Sequence, residues 1–421
     1  MTPSSRLFSV QHSSLSISFL PFQTDTLLLK SMGPLSNFYR KAAGAQASSA
    51  PDGAPPAAPD PAASATVVCR PAEREEISIG LRVVLGAHGH PADDAQVVDF
   101  MQFALRRGIS LSDLWLAERT GDHTLAWAVL PIVSPGRTLL LVGPSDPPHR
   151  RGADTVAVAE MLVERVCTHF AGTGVQLAQV LIDPADEISR RLYESRGFRR
   201  VAELLYLQGA PRRRCVSPPL PPGFGWLAYS AQTHDRFIAA IAETYQHSLD
   251  CPALNGLRDM NDVLAGHKAS GEFDPALWVL LCEDVPGNVS GAAACVAHGV
   301  LLLSKMPPGD SLELVYLGLT PAARGRGLGD LLLKEAMATV AAQGASRLSL
   351  AVDSQNAPAL KLYYRHGLHR IASKLALMRL LELPAPSPSS APSPAPYSVP
   401  APSLPTPHIP PGLSTADTHV R

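Results

Sequence analysis

The chain carries no surplus of either charge. Thirty-six Lys and Arg stand against 37 Asp and Glu over 421 residues, a formal net charge of −1. A dedicated nucleic-acid binder needs a basic excess to neutralise phosphates, so that class is set aside. No run of about 18 uninterrupted apolar residues occurs, which argues against a transmembrane helix and a membrane partner. The six cysteines, Cys69, Cys167, Cys215, Cys251, Cys282 and Cys295, include no Cys-x-x-Cys pair, and no histidine cluster completes a zinc set. They read as isolated reduced thiols of a cytoplasmic protein, and no metal is expected.

Proline is abundant, with 40 residues unevenly spread. Residues 42–65 are rich in Ala, Pro, Ser and Gly, and residues 384–421 form a Pro/Ser/Ala tail. Neither can bury an apolar face, so both are expected to be disordered. The tail has almost no basic residues to orient an SH3-type partner. In residues 1–31, Pro21, Gln23 and Asp25 interrupt the apolar clusters of any signal-peptide core, and Met32 is preferred as the initiator over a transit-peptide reading. The expected organisation is a disordered extension over 1–74, a first unit over 75–210, a linker over 211–221, a second unit over 222–383 and the tail.

The two units resemble each other. RRLYESRGFRRV in the first corresponds to LKLYYRHGLHRI in the second, aligning Leu192, Tyr193, Gly197 and Arg200 with Leu362, Tyr363, Gly367 and Arg370. The same register sets Gly174 on Gly344, each closing a helix. A tandem duplication of one α/β unit follows, with the two copies pairing within the chain.

The chemistry concentrates in the second unit. SLELVYLGLT from Ser311 reads as a buried strand ended by Pro321, and ARGRGLG (Ala323 to Gly329) leads into an apolar-faced helix. A strand running through a glycine-rich turn into a helix makes an anion site: successive N–H groups converge and the helix dipole adds positive potential. Gly327 and Gly329 let a phosphate approach the backbone, and Arg324 and Arg326 add charge. The turn alone equally suits a nucleotide site or an ordinary tight turn. Asp330, however, stands where a GxGxxG counted from Gly325 needs its third glycine, and no acidic ribose partner follows the next strand, which disfavours nucleotide-dependent redox chemistry. After that strand (RLSLAV, Arg347 to Val352), Asn356 caps a further helix, Pro358 suits its first turn and Gly367 stops it.

In combination these motifs resemble the GCN5-related N-acetyltransferase (GNAT) superfamily. Its pyrophosphate signature, Arg/Gln-x-x-Gly-x-Gly/Ala after a strand, is met by Arg324, Gly327 and Gly329. Its later motif, Asn-x-x-Ala-x-x-Leu-Tyr-x-x-x-Gly-Phe, is met by Asn356, Ala359, Leu362, Tyr363 and Gly367, with Leu368 in place of Phe. The resemblance implies an α/β architecture of tandem acyl-CoA N-acyltransferase folds, each a mixed, splayed β-sheet flanked by helices, with acetyl-CoA as cosubstrate. By carry-over, Leu317 and Leu319 offer backbone groups to the pantetheine arm. The turn of Arg324, Gly325, Arg326, Gly327, Leu328, Gly329 and Asp330 holds the pyrophosphate, and Asn356 contacts the cofactor arm. Tyr363 is the candidate acid for the leaving thiolate, ahead of Tyr364, and Glu313, interrupting an apolar strand, is the candidate base. The structural alternatives are a tyrosine that anchors its helix and a glutamate that is paired with an arginine or faces solvent at a strand end.

The acceptor site is expected in the early, variable helices, where Asp250, Asn255 and Arg258 can orient a substrate. Cys251 has no histidine placed to activate it as a nucleophile. In the first unit the register puts Asp154, Ala157 and Ala159 at the positions of Arg324, Gly327 and Gly329, and Asp186 at that of Asn356. An aspartate facing a pyrophosphate repels it, so this copy is expected to be degenerate and to support the second. The expected activity is transfer of an acetyl group from coenzyme A to a small-molecule or peptide amine, by direct attack in a ternary complex. The alternative is a regulatory protein that binds acyl-CoA without turnover.

Overall fold

The computed structural model describes residues 67–381, apart from 87–89, 122, 145–154, 213–214, 253–255, 257, 285–294 and 307–309. The first half runs β1 (Val67–Pro71), α1 (Ile77–Val84), α2 (Asp94–Arg107), β2 (Trp115–Arg119), β3 (Leu125–Ser134), β4 (Thr138–Val142), α3 (Thr155–Ala171), β5 (Leu177–Ile182), α4 (Glu187–Ser195) and β6 (Arg199–Gly209). The second half repeats that order: β7 (Phe224–Ala228), α5 (His234–Tyr245), α6 (Met260–Lys268), β8 (Trp278–Asp284), β9 (Cys295–Met306), β10 (Ser311–Leu319), α7 (Leu328–Ala342), β11 (Arg347–Asp353), α8 (Ala357–Arg365) and β12 (His369–Leu380). One expected boundary needs correction. Residues 67–71, assigned to the disordered extension, form β1, because VVCRP pairs antiparallel with β2.

Local chemistry sets the ends of the elements. Asp93 and Gln96 form a capping box at α2, and Gly108, with φ 63°, ends that helix. Gly174 and Gly344 take positive φ just beyond α3 and α7, as do Gly197 and Gly367 beyond α4 and α8. Asp186 and Asn356 cap α4 and α8 in the same way: each side-chain oxygen accepts from an amide three residues on, at 2.9 and 3.3 Å.

All twelve strands lie in one sheet, ordered β1-β2-β3-β4-β5-β12-β6-β11-β10-β9-β8-β7. The two halves exchange their last strands. β12, from the second half, pairs with β5 of the first, and β6, from the first half, pairs with β11 of the second. The two exchanged strands also pair with each other at the centre. The sheet of neither half is complete without the other.

Alternation in the strands assigns the helices to faces. In β10, Leu314 and Leu317 turn to one face while Glu313 and Tyr316 turn to the other, the step being adjusted by a bulge at Val315. Helices α5 and α6 cover the face of Tyr316, whose ring meets His267 and whose hydroxyl meets Thr244. Helix α7 covers the opposite face, where the Cβ position of Gly299 points at Leu332. In the first half α3 packs Val158, Leu162, Val163 and Val166 against β strands of that same half, giving a core that also takes in Leu375 and Leu377 of the exchanged β12.

Candidate active site

The sheet opens where β10 leaves β11. Those parallel strands pair only over Ser311–Glu313 and Arg347–Ser349. The extra residue Val315 then bends β10 towards β9, with which it stays paired as far as Leu319. The backbone edge of Leu317 and Leu319 on the β11 side is left without a ladder partner, and a cleft passes between the strands. In the first half β4 shows no such slip against β3 and stays paired with β5 from Thr138 to Leu141.

At the mouth of the cleft the chain turns through Gly325 and Gly327, with φ 77° and 78°. Only glycine holds these angles without strain. No amide from Gly325 to Gly329 donates to a backbone carbonyl among the described residues. Five successive N–H groups at the start of α7 are therefore available to an anion. The side chains around the turn do different things. Arg326 lies over the ring of Phe224 and pairs with Glu283 at 3.2 Å, so its charge stays near the turn. Arg324 does not add charge there: its buried guanidinium donates to the carbonyls of Leu319, Thr244 and Gln246 at 3.2, 2.9 and 2.7 Å, fastening the C-terminal end of α5 to the end of β10. Asp330 is also turned away. Its carboxylate is opposed by desolvation but held down to about 2 by bonds from Lys334 and His366, and it joins α7 to α8. Both side chains thus serve as braces, because each finds strong local partners inside the fold.

The remaining expected residues are buried on β10 and on α8 or its cap, the elements that flank the cleft or follow its far strand. Tyr363 is fully buried, and its hydroxyl has no hydrogen-bond partner among the described residues. Burial, and next the charge of Asp250, push its phenol well above the ordinary value. Glu313 is 2% exposed and lies on the face opposite Leu314. Asn356 is buried, its side chain engaged in capping α8.

Of the residues expected to orient the acceptor, Asp250 stands within electrostatic reach of Tyr363, whereas Arg258 is turned elsewhere. Asp250 accepts from the amide of Asp353 at 3.2 Å, and the amide of Cys251 donates to Asp353 at 3.2 Å, so this loop closes over the end of β11. Burial pushes the Cys251 thiol well up, which leaves it protonated. Arg258 donates to the carbonyls of Gly136 and Asp262 at 3.3 and 3.2 Å and so docks the first half on the second rather than facing the cleft. Asn255 lies outside the described residues, as does Asp154. Where the halves meet, a cavity of about 490 Å³ is lined by Arg106, Arg107 and Pro131 from the first and Ala269, Gly271 and Glu272 from the second. Among the described residues no group of three or more His, Cys, Asp and Glu is arranged to hold a metal ion, and no helix is long and apolar enough to cross a membrane.

A bulged, splayed sheet ending in a row of open amides, with a buried phenol at its edge, defines an acyl-CoA-dependent N-acyltransferase. The sequence profile of the Acetyltransferase (GNAT) family matches residues 241–368. A mycothiol acetyltransferase of Clavibacter sepedonicus is 30% identical over 256 residues, spanning 60% of this chain and 76% of that protein. A mycothiol acetyltransferase of Clavibacter michiganensis subsp. michiganensis is 30% identical over 224 residues, spanning 52% of this chain and 65% of its own. The crystal structure of a GCN5-related N-acetyltransferase from Sphaerobacter thermophilus shares the fold, with a TM-score of 0.51 and 18% identity over 75% of this chain and 96% of that one. The chain belongs to the GNAT acetyltransferase family.

Proposed function

We propose that the second half transfers an acetyl group from acetyl-CoA to a small-molecule amine in a ternary complex, while the first half is a degenerate copy that binds no cofactor. The observation that carries this reading is the row of five open amides from Gly325 to Gly329 at the mouth of the β10–β11 cleft. These amides, with Arg326 beside them, suit a pyrophosphate, and the edge of Leu317 and Leu319, which lacks a strand partner although Arg324 bonds the Leu319 carbonyl, suits the amide groups of pantetheine. Acetyl-CoA supplies the acetyl thioester. Glu313 takes a proton from the attacking amine. Tyr363, kept protonated by burial, gives its proton to the departing thiolate. Rate enhancement comes chiefly from holding amine and thioester together in the cleft.

At the matching place the first half has no bulge in its β3–β4 pairing and no paired glycines among the described residues: Ala157 and Ala159 stand in α3 where the second half has its turn. Its role is to complete the sheet. The relatives named mycothiol acetyltransferases point to an acceptor of the mycothiol kind, met in the cytoplasm. Thiol release from acetyl-CoA, measured with acetyl-free mycothiol, other small amines and a lysine peptide, tests the reading. Release that depends on a small amine is expected. Acetyl-CoA binding with no release for any acceptor would instead favour a regulatory protein.

A further inference from the structure

The exchanged strand β6 places a first-half side chain two strands from the second half's candidate base, on the same face of the sheet. Strands β9, β10, β11 and β6 are successive neighbours. Across them Ser304 pairs with Glu313, Glu313 with Ser349, and Ala351, two residues further along the same face, with Tyr206. Ser304 is fully buried and Tyr206 is 1% exposed, yet neither hydroxyl has a hydrogen-bond partner among the described residues. Burial, and next the charge of Glu313, push the pKa of the Tyr206 phenol up and so oppose its ionisation, which puts that carboxylate within electrostatic reach.

The first half holds the same register with different chemistry. There Ile132 pairs with Leu140, Leu140 with Gln179, and Leu181 with Ala376. Ser304, Glu313 and Tyr206 are thus matched by isoleucine, leucine and alanine, and the small Ala351 by leucine. The first copy surrounds the buried amide of Gln179, the counterpart of Ser349, with aliphatic side chains. The other sets two unpaired hydroxyls on either side of a carboxylate, with an alanine leaving room between. Unpaired buried hydroxyls are unfavourable unless a ligand uses them. Ser304 also adjoins the cavity at the seam of the halves: a Cβ at Gly271, in the cavity wall, would stand 3.0 Å from that of Ser304.

We propose that the hydroxyls of Tyr206 and Ser304 hold the acceptor amine beside Glu313, so that the first half, though degenerate, contributes a binding residue to the second half's site. The amine carries more than one N–H: one goes to Glu313, and a hydroxyl oxygen accepts another, which turns the lone pair towards the thioester. This rests on the reading of Glu313 as the acceptor's base.

The test is steady-state kinetics of the full chain with acetyl-free mycothiol as the probe, comparing Tyr206→Phe, Ser304→Ala and Glu313→Gln. Tyr206→Phe keeps the ring and removes only the hydroxyl. The KM for the acceptor should rise about tenfold or more, the loss expected for a hydrogen bond to a charged or polarised group. The KM for acetyl-CoA should stay within twofold, and Tm should hold or rise, because an unpaired hydroxyl is removed. Ser304→Ala should act in the same direction. An acceptor KM that stays within twofold in Tyr206→Phe overturns the proposal, as does a fall in Tm with both KM values disturbed, which would mark a purely structural tyrosine. If Glu313→Gln leaves kcat intact while Tyr206→Phe still raises the acceptor KM, the base assignment fails and the binding role stands.

Discussion

Gly327 offers the sharpest separation of strain from charge. Its backbone sits at φ 78° and ψ 0° as the N-cap of α7, and a Cβ built there meets nothing within 4 Å. A side chain is therefore strained by the left-handed backbone but does not clash. That strain is about 1–2 kcal/mol, so Gly327→Ala should lower the melting temperature of the free protein by a few degrees. Gly327→Asp should lower it by a similar amount. The two must differ in the presence of acetyl-CoA. A carboxylate about 4 Å from a phosphate charge, at an effective dielectric near 20, is repelled by about 4 kcal/mol per charge pair. That is about a thousandfold in affinity, enough to abolish thermal stabilisation by the ligand. Gly327→Ala should keep most of the stabilisation. Differential scanning fluorimetry over an acetyl-CoA titration reads both quantities. If Gly327→Asp retains the full shift, the turn is not the diphosphate site.

Three further expectations follow from single contacts. His267 is buried against Tyr316, and burial, then the charge of Arg258, lower its pKa from 6.5 to about 3. It is neutral when folded but takes a proton when unfolded below pH 6.5. Stability should therefore fall as pH drops through that window, by about 1.4 kcal/mol per pH unit from this group. His267→Gln should flatten the slope in urea titrations run at about pH 6 and pH 5, and an unchanged slope would refute the assignment. Arg324→Lys should lower Tm by releasing the end of α5, whereas Arg326→Ala should weaken acetyl-CoA binding at constant Tm; calorimetry that finds the reverse would restore Arg324 to the phosphate turn. A protease cut between residues 211 and 221 should leave the halves associated on gel filtration, since each holds the other's last strand. A folded, monomeric isolated half would contradict the exchange.

Much of this architecture could be read from local patterns. The strand at Ser311–Leu319, the caps at Asp186 and Asn356, and the glycines after each helix follow from period, capping chemistry and left-handed backbone, all of which act within a few residues. The repeat is legible because RRLYESRGF and LKLYYRHGL preserve the core tyrosine and the stop glycine, each segment starting four residues after its cap, Asp186 or Asn356. What escaped was long-range. Nothing near Tyr206 indicates that LLYLQ will lie beside β11, because strand exchange depends on pairings set by the whole sheet. A tyrosine in an aliphatic strand was the available signal. The direction of Arg324 is not legible because a motif gives the position of a guanidinium, not its direction; two carbonyls at the end of α5 and one at the end of β10 claim it. Asp250 and Arg258 are expected from the sequence to orient the acceptor, but the contacts that hold them, Asp353 and Gly136, lie about 100 residues away or more.

The central claim is that one half of a tandem pair works and the other supports it. Titration calorimetry of the intact chain with acetyl-CoA tests this most directly. One equivalent should bind per polypeptide, and none to Gly327→Asp. Two equivalents, or one that survives that substitution, would mean that the first half holds a working site.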